Sequence, residues 1–79
     1  MTEFENLKRS YTATVQFGLL TQIGYQKAKQ GNDLLHKFCE NYVDNGNYTD
    51  VEKSRMKCEL ETLKEALSHE IETYYFRKG

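Results

Sequence analysis

The stretch GYQKAKQG, Gly24 to Gly31, decides the fold of this chain, because its two glycines either end a helix or sit inside one. Glycine is the usual residue just past a helix C-terminus, where positive φ costs it nothing, so Gly31 followed by Asn32 and Asp33 reads as a stop and a fresh cap. The other reading makes the helix continuous. Phe17, Thr21, Gly24, Ala28, Gly31, Leu35, Phe38 and Tyr42 step by 4, 3, 4, 3, 4, 3 and 4, a heptad seam with small residues at its centre. On a continuous helix Gly24, Ala28 and Gly31 form a notch that takes a large side chain from a neighbour. Each glycine costs about 1 kcal/mol against alanine in a helix interior, which packing at the notch has to offset. The unbroken heptad steps favour continuity.

Outward from this stretch the whole chain reads as helix. It has no proline in 79 residues and is rich in Glu, Lys, Gln, Leu and Ala. Thr2 with Glu5 has the spacing of a capping box, which starts a helix at residue 3. Thr49 with Glu52 repeats the device just after Asn45, Gly46 and Asn47, an Asn-Gly turn of the kind that reaches positive φ cheaply. Beyond it Met56, Leu60, Leu63, Leu67, Ile71 and Tyr74 fall in one stripe, a seam for one neighbour. This helix runs to Phe76, where Arg77 and Lys78 suit the negative end of its dipole.

The expected fold is therefore all-α and a single domain, residues 1–79. It is an antiparallel helical hairpin with a long N-terminal helix over 3–44, unbroken or broken at Gly31, and a C-terminal helix over 50–76. An unbroken first helix spans about 63 Å, whereas the last covers only about 40 Å of it. The overhang is apolar on several sides, which asks for a second chain to complete the bundle. A monomeric three-helix bundle is the alternative. The residues expected to bind that partner are Tyr11, Val15, Phe17, Leu19, Leu20, Ile23, Gly24 and Ala28, with Tyr75 and Phe76 from the aromatic cluster at the last turn.

Charge and cysteine content narrow the function classes. Eleven basic and 12 acidic residues give a net charge of -1, with no field to hold a nucleic acid. Two cysteines, no signal-like apolar run and no span of membrane length point to a soluble protein of the cytoplasm. His36, Cys39, Cys58 and His69 are the residue types of a zinc site, but Cys58 and His69 on one helix lie about 16 Å apart. They read as two surface histidines, a partly buried Cys39 and an outward Cys58. Nothing orients His36 as a base for Cys39, and no glycine-rich turn offers an oxyanion hole. Glu59, Glu61, Glu65, Glu70 and Glu72 read as a solvated face pairing with Lys57 and Lys64 along the helix. No catalytic residue, cofactor, metal or small-molecule substrate is expected.

A helix, an Asn-Gly turn and a second helix ending in Tyr-Tyr with an arginine resembles the small helical co-chaperones of type III secretion needle subunits. Asn45, Gly46, Asp50, Leu60, Glu65, Ile71, Tyr75 and Arg77 carry the likeness, which covers the last 35 residues of 79. It implies a helical hairpin that pairs with a second chaperone to keep the needle subunit soluble in the cytoplasm, without catalysis. The expected function is a non-enzymatic protein-binding module, a co-chaperone or adaptor that buries apolar helix surface against a partner. A small phage-type or viral inhibitor that blocks a host protein is the alternative, and a structural monomer or dimer without a ligand is a third.

Overall fold

Three helices follow one another in the computed structural model, which describes residues 2–77: α1 Glu3–Leu20, α2 Tyr25–Asn45 and α3 Asp50–Phe76. The all-α class holds, but the two-helix hairpin is corrected. The first helix breaks at Thr21–Gly24, seven residues before Gly31, and Gly31 lies inside α2. The heptad seam from Phe17 to Tyr42 is therefore not one continuous face.

The break is a Schellman motif built without glycine at its left-handed position. Thr21 caps α1, the Gln22 N–H donates to the Leu19 carbonyl at 3.1 Å, and the Ile23 N–H donates to the Gly18 carbonyl at 3.3 Å. Gln22 takes the positive φ of 55° that this motif requires. Ile23 folds back over α1, and Gly18 makes room for it: a Cβ there would stand 3.0 Å from Ile23 Cδ1. Gly24 then takes φ 101°, extended on the side of the map reserved for glycine, and turns the chain into α2.

The second turn departs from expectation in one detail. Gly46 has φ -81°, so the Asn-Gly pair supplies no positive φ. What glycine contributes at position 46 is room, because a Cβ would overlap the Tyr48 ring. Thr49 and Glu52 then complete the expected capping box, with bonds of 3.2 and 3.0 Å in the two directions. At Thr2 only half of that device is made, the Glu5 N–H donating to the threonine hydroxyl at 3.1 Å. Arg77 caps α3 by donating its N–H to the Thr73 carbonyl; Lys78 lies outside the described residues.

With two turns, α1 and α3 run parallel and α2 runs antiparallel to both. Lys8 meets Glu59 and Gln16 meets Glu70 between α1 and α3, while Lys29 meets Glu72 and Asp44 meets Lys57 between α2 and α3. The core takes Phe4, Tyr11, Val15 and Leu19 from α1, Ala28, Cys39 and Val43 from α2, and Met56, Leu60, Leu67 and Ile71 from α3. The α3 seam thus holds from Met56 to Ile71, with Leu63 at its edge. Tyr74 leaves it: this ring is 46 % exposed, and Tyr75 turns inward instead to reach the start of α2. The molecule measures 45 × 21 × 18 Å, and the stretch expected to overhang a straight hairpin instead folds back as α1 along α3. No helix among the described residues is long and apolar enough to cross a membrane.

Candidate protein-docking surface

Helical periodicity divides the expected partner-binding residues into two groups. Tyr11, Val15 and Leu19 lie on the inner face of α1, and with Ala28 they are consumed by the chain's own core. Phe17 and Leu20, three residues apart, share the opposite face of α1 and stand 60 % and 78 % exposed. Ile23 in the connection is 42 % exposed, and Phe76 at the end of α3 is 61 % exposed. Because α1 and α3 are parallel, their C-terminal turns meet, so Phe17, Leu20, Ile23, Tyr74 and Phe76 gather at one end of the bundle. Leu19 and Tyr74 also line a shallow groove there with Ala66, His69, Glu70 and Thr73.

That end is stiffened from behind. Half-buried Tyr75 accepts the Gly24 N–H through its hydroxyl at 3.1 Å, which ties the first turn to α3. The Tyr25 ring meets Tyr75 edge-on at 6.1 Å between centroids and Phe76 at 4.6 Å, and Tyr74 meets Tyr75 at 5.0 Å. Tyr25 donates its hydroxyl to Glu72 at 2.9 Å, and Lys29 donates to the same carboxylate at 3.1 Å and to Ser68 Oγ at 3.2 Å. These two donors, Tyr25 before Lys29, hold the Glu72 carboxyl below its ordinary range. In return the Glu72 hydrogen bond raises the pKa of Tyr25 and of Lys29.

The chemistry-bearing residues lie elsewhere, toward the middle of the bundle. Cys39 is 1 % exposed and burial pushes its thiol pKa up, away from the reactive thiolate. Cys58 is exposed, and both thiols are free. His36 is not the surface histidine its sequence context suggests; it is buried on the same face of α2 as Cys39, whereas His69 is exposed. Glu61 Oε2 comes within 3.1 Å of His36 Nε2 and Glu40 Oε1 within 3.7 Å of Nδ1. The Glu61 oxygen lies off the N–H direction, so Nε2 has proximity without a hydrogen bond. No group of three or more His, Cys, Asp or Glu among the described residues is placed to hold a metal ion.

Two further features escape a reading of periodicity. Asn32, beside the expected helix break, is instead a buried node joining all three helices. Its side chain accepts the Tyr11 hydroxyl from α1 and donates to the Lys64 carbonyl of α3 at 3.1 Å. Burial is the main cause that raises the Tyr11 pKa, with Cys39, Asp33 and Glu61 adding to it, so the phenol stays a donor. The acidic residues of α3, expected to pair along their own helix, mostly reach across to other helices. Glu59 takes Lys8 at 2.9 Å and Glu72 takes Lys29, while Lys57 reaches Asp44 at 2.5 Å and Lys64 reaches Asp33 at 3.6 Å. Compared with known proteins, the chain matches no family model, no curated protein and no solved structure.

Proposed function

We propose that the protein is a non-enzymatic helical docking module of the cytoplasm, an adaptor or co-chaperone that covers apolar helix surface on another protein. The observation that carries this reading is the exposure of Phe17, Leu20, Ile23, Tyr74 and Phe76, all of them at the same end of the bundle. A small domain whose own core is satisfied gains nothing from large apolar side chains in water, and several such groups at one end of the fold suit a protein interface. The aromatic stack of Tyr25, Tyr75 and Phe76 preorganises this end, so little ordering cost falls on binding. The likeness of the last 35 residues to needle-subunit co-chaperones suggests an aggregation-prone helical partner.

The test is co-expression of the tagged chain with each protein encoded beside it, followed by isolation of any complex and a check that the partner stays soluble. Phe17→Ser with Leu20→Ser is expected to abolish the complex while helical content by circular dichroism is kept, since neither side chain is in the core. Phe38→Ser, on the outer face of α2, is expected to leave the complex intact. A complex indifferent to the Phe17 and Leu20 pair, or the lack of any complex, refutes the assignment of this surface.

A further inference from the structure

The turn between α2 and α3 closes a groove at the end of the bundle opposite the docking surface. Phe38, Asn41, Tyr42 and Asn45 stand at i, i+3, i+4 and i+7, which puts them on one face of the last turns of α2. Glu3 at the start of α1 and Tyr48 in the turn complete walls around a volume of about 510 Å³. Gly46 fixes where the last of these rings lies. It has no unusual φ, and a Cβ on it would overlap the Tyr48 ring, so glycine there serves the position of that ring over the turn.

The lining has the chemistry of a cation site. Phe38, Tyr42 and Tyr48 bring three aromatic rings, and the negative face of such a ring attracts a cation, the more so when that cation gives up little hydration. Tyr42 donates its hydroxyl to Glu3 Oε2 at 2.7 Å. That bond is the main cause that pushes the Tyr42 pKa up to about 12, so the ring stays neutral beside a carboxylate. No lysine, arginine or histidine lines the groove, and its amides, Asn41, Asn45 and Asn47, carry no charge. α2 also ends here without a basic residue in its last turn, which leaves the negative end of its dipole on this side. Lys53 and Lys57 bond the Asp44 carbonyl and carboxylate on the flank toward α3 and are not among the groove's walls. The start of α1 brings the positive end of a second dipole, which Glu3 and Glu5 in its first turn offset. A lysine ammonium holds its water tightly, whereas a fully methylated ammonium is apolar at its surface and still charged. We infer that this groove binds a quaternary methylammonium group, held among the Phe38, Tyr42 and Tyr48 rings with Glu3 as its counter-charge.

Titration of the full chain with choline chloride, followed through the NMR ring resonances of Phe38, Tyr42 and Tyr48, tests this, with ammonium chloride at equal ionic strength as the control. Choline is expected to shift those resonances saturably with a Kd of about 1 mM, and ammonium to give no saturable shift. Phe38→Leu is expected to weaken binding at least about threefold and Phe38→Tyr to keep it, because leucine preserves apolar bulk but removes the ring. Phe38 is 63 % exposed, so both variants are expected to keep the helical content of the wild type. Glu3→Gln is expected to weaken binding as well. Two further probes identify the carrier of the group: retention on phosphatidylcholine vesicles assigns a lipid headgroup, and tighter binding of free trimethyl-lysine than of choline assigns a methylated side chain. The lack of a saturable shift with choline up to about 50 mM overturns the inference. So does a response that ammonium reproduces, or one that Phe38→Leu leaves unchanged.

Discussion

Gln22 and Gly24 carry the change of direction that makes three helices out of two. Gln22 adopts φ 55°, a conformation costly to a residue with a Cβ, and it does so because two backbone hydrogen bonds and the Ile23 contact hold it there. Gln22→Gly is therefore expected to stabilise the protein by up to about 1 kcal/mol, read as a higher melting temperature. Gly24→Ala should act in the opposite sense and by more, since φ 101° strains any side chain; equal effects at the two positions would contradict the turn geometry. Gly31→Ala should stabilise by up to about 1 kcal/mol, because Gly31 is helical and its Cβ space is empty. At Asn32 the issue is satisfaction rather than conformation. Asn32→Ala removes the side-chain oxygen that accepts the Tyr11 hydroxyl, leaving it only the residue 32 carbonyl at 3.2 Å, and takes one donor from the Lys64 carbonyl, which should cost about 1–3 kcal/mol in denaturant unfolding. The same substitution in a Tyr11→Phe background should cost less, and additive losses would mean that the two side chains are not coupled.

α3 was the most legible element, because a long amphipathic helix in contact with two neighbours writes its inner face at plain helical spacing. Met56, Leu60, Leu67 and Ile71 are buried as their spacing requires, and Thr49 with Glu52 marks the start. Leu67→Ala should then cost about 2–5 kcal/mol, and Leu63→Ala, at the edge of the seam, distinctly less. Glu61 is a different case from a silent surface residue, since its carboxylate stands against buried His36. The end of α1 was illegible for an identifiable reason. The left-handed residue of its terminal motif is glutamine, while glycines at 18, 24 and 31 serve as a seat for Ile23, a special φ and an open surface. A search for a C-cap glycine lands on the wrong one. Where α2 meets the end of α3, Glu72 links the elements by charge. Its folded pKa is depressed, so its contribution is present above the ordinary carboxylate range and is lost as pH falls through the folded value. Glu72→Gln should lower the melting temperature at neutral pH, with the gap closing in acid; a constant gap would show that the carboxylate's charge is not what matters.

At the scale of the whole molecule, the class and the helical faces follow from composition and spacing, but the number of helices turns on four residues. Once the chain folds back at Thr21–Gly24, much of the apolar surface of α1 that seemed to demand another protein is covered within the chain. Tyr11, Val15 and Leu19 go inward, and what remains exposed is the narrower set of Phe17, Leu20, Ile23 and Phe76 at the end of the bundle. The candidate surface was therefore half legible: its location along the chain came from the density of apolar residues, and its composition only from knowing which face of α1 is spent. The central claim is that α1 lies along α3 of its own chain, where Lys8 Nζ meets Glu59 Oε1 at 2.9 Å. In a continuous first helix those residues would be separated by about 45 Å. Zero-length carbodiimide coupling on an equal mixture of ¹⁴N- and ¹⁵N-labelled chains, read by mass spectrometry of the Lys8–Glu59 peptide pair, tests this directly. The account predicts that the cross-link forms and that each linked pair carries a single isotope. A missing cross-link, or pairs of mixed isotope in which α1 of one chain covers α3 of another, would contradict it.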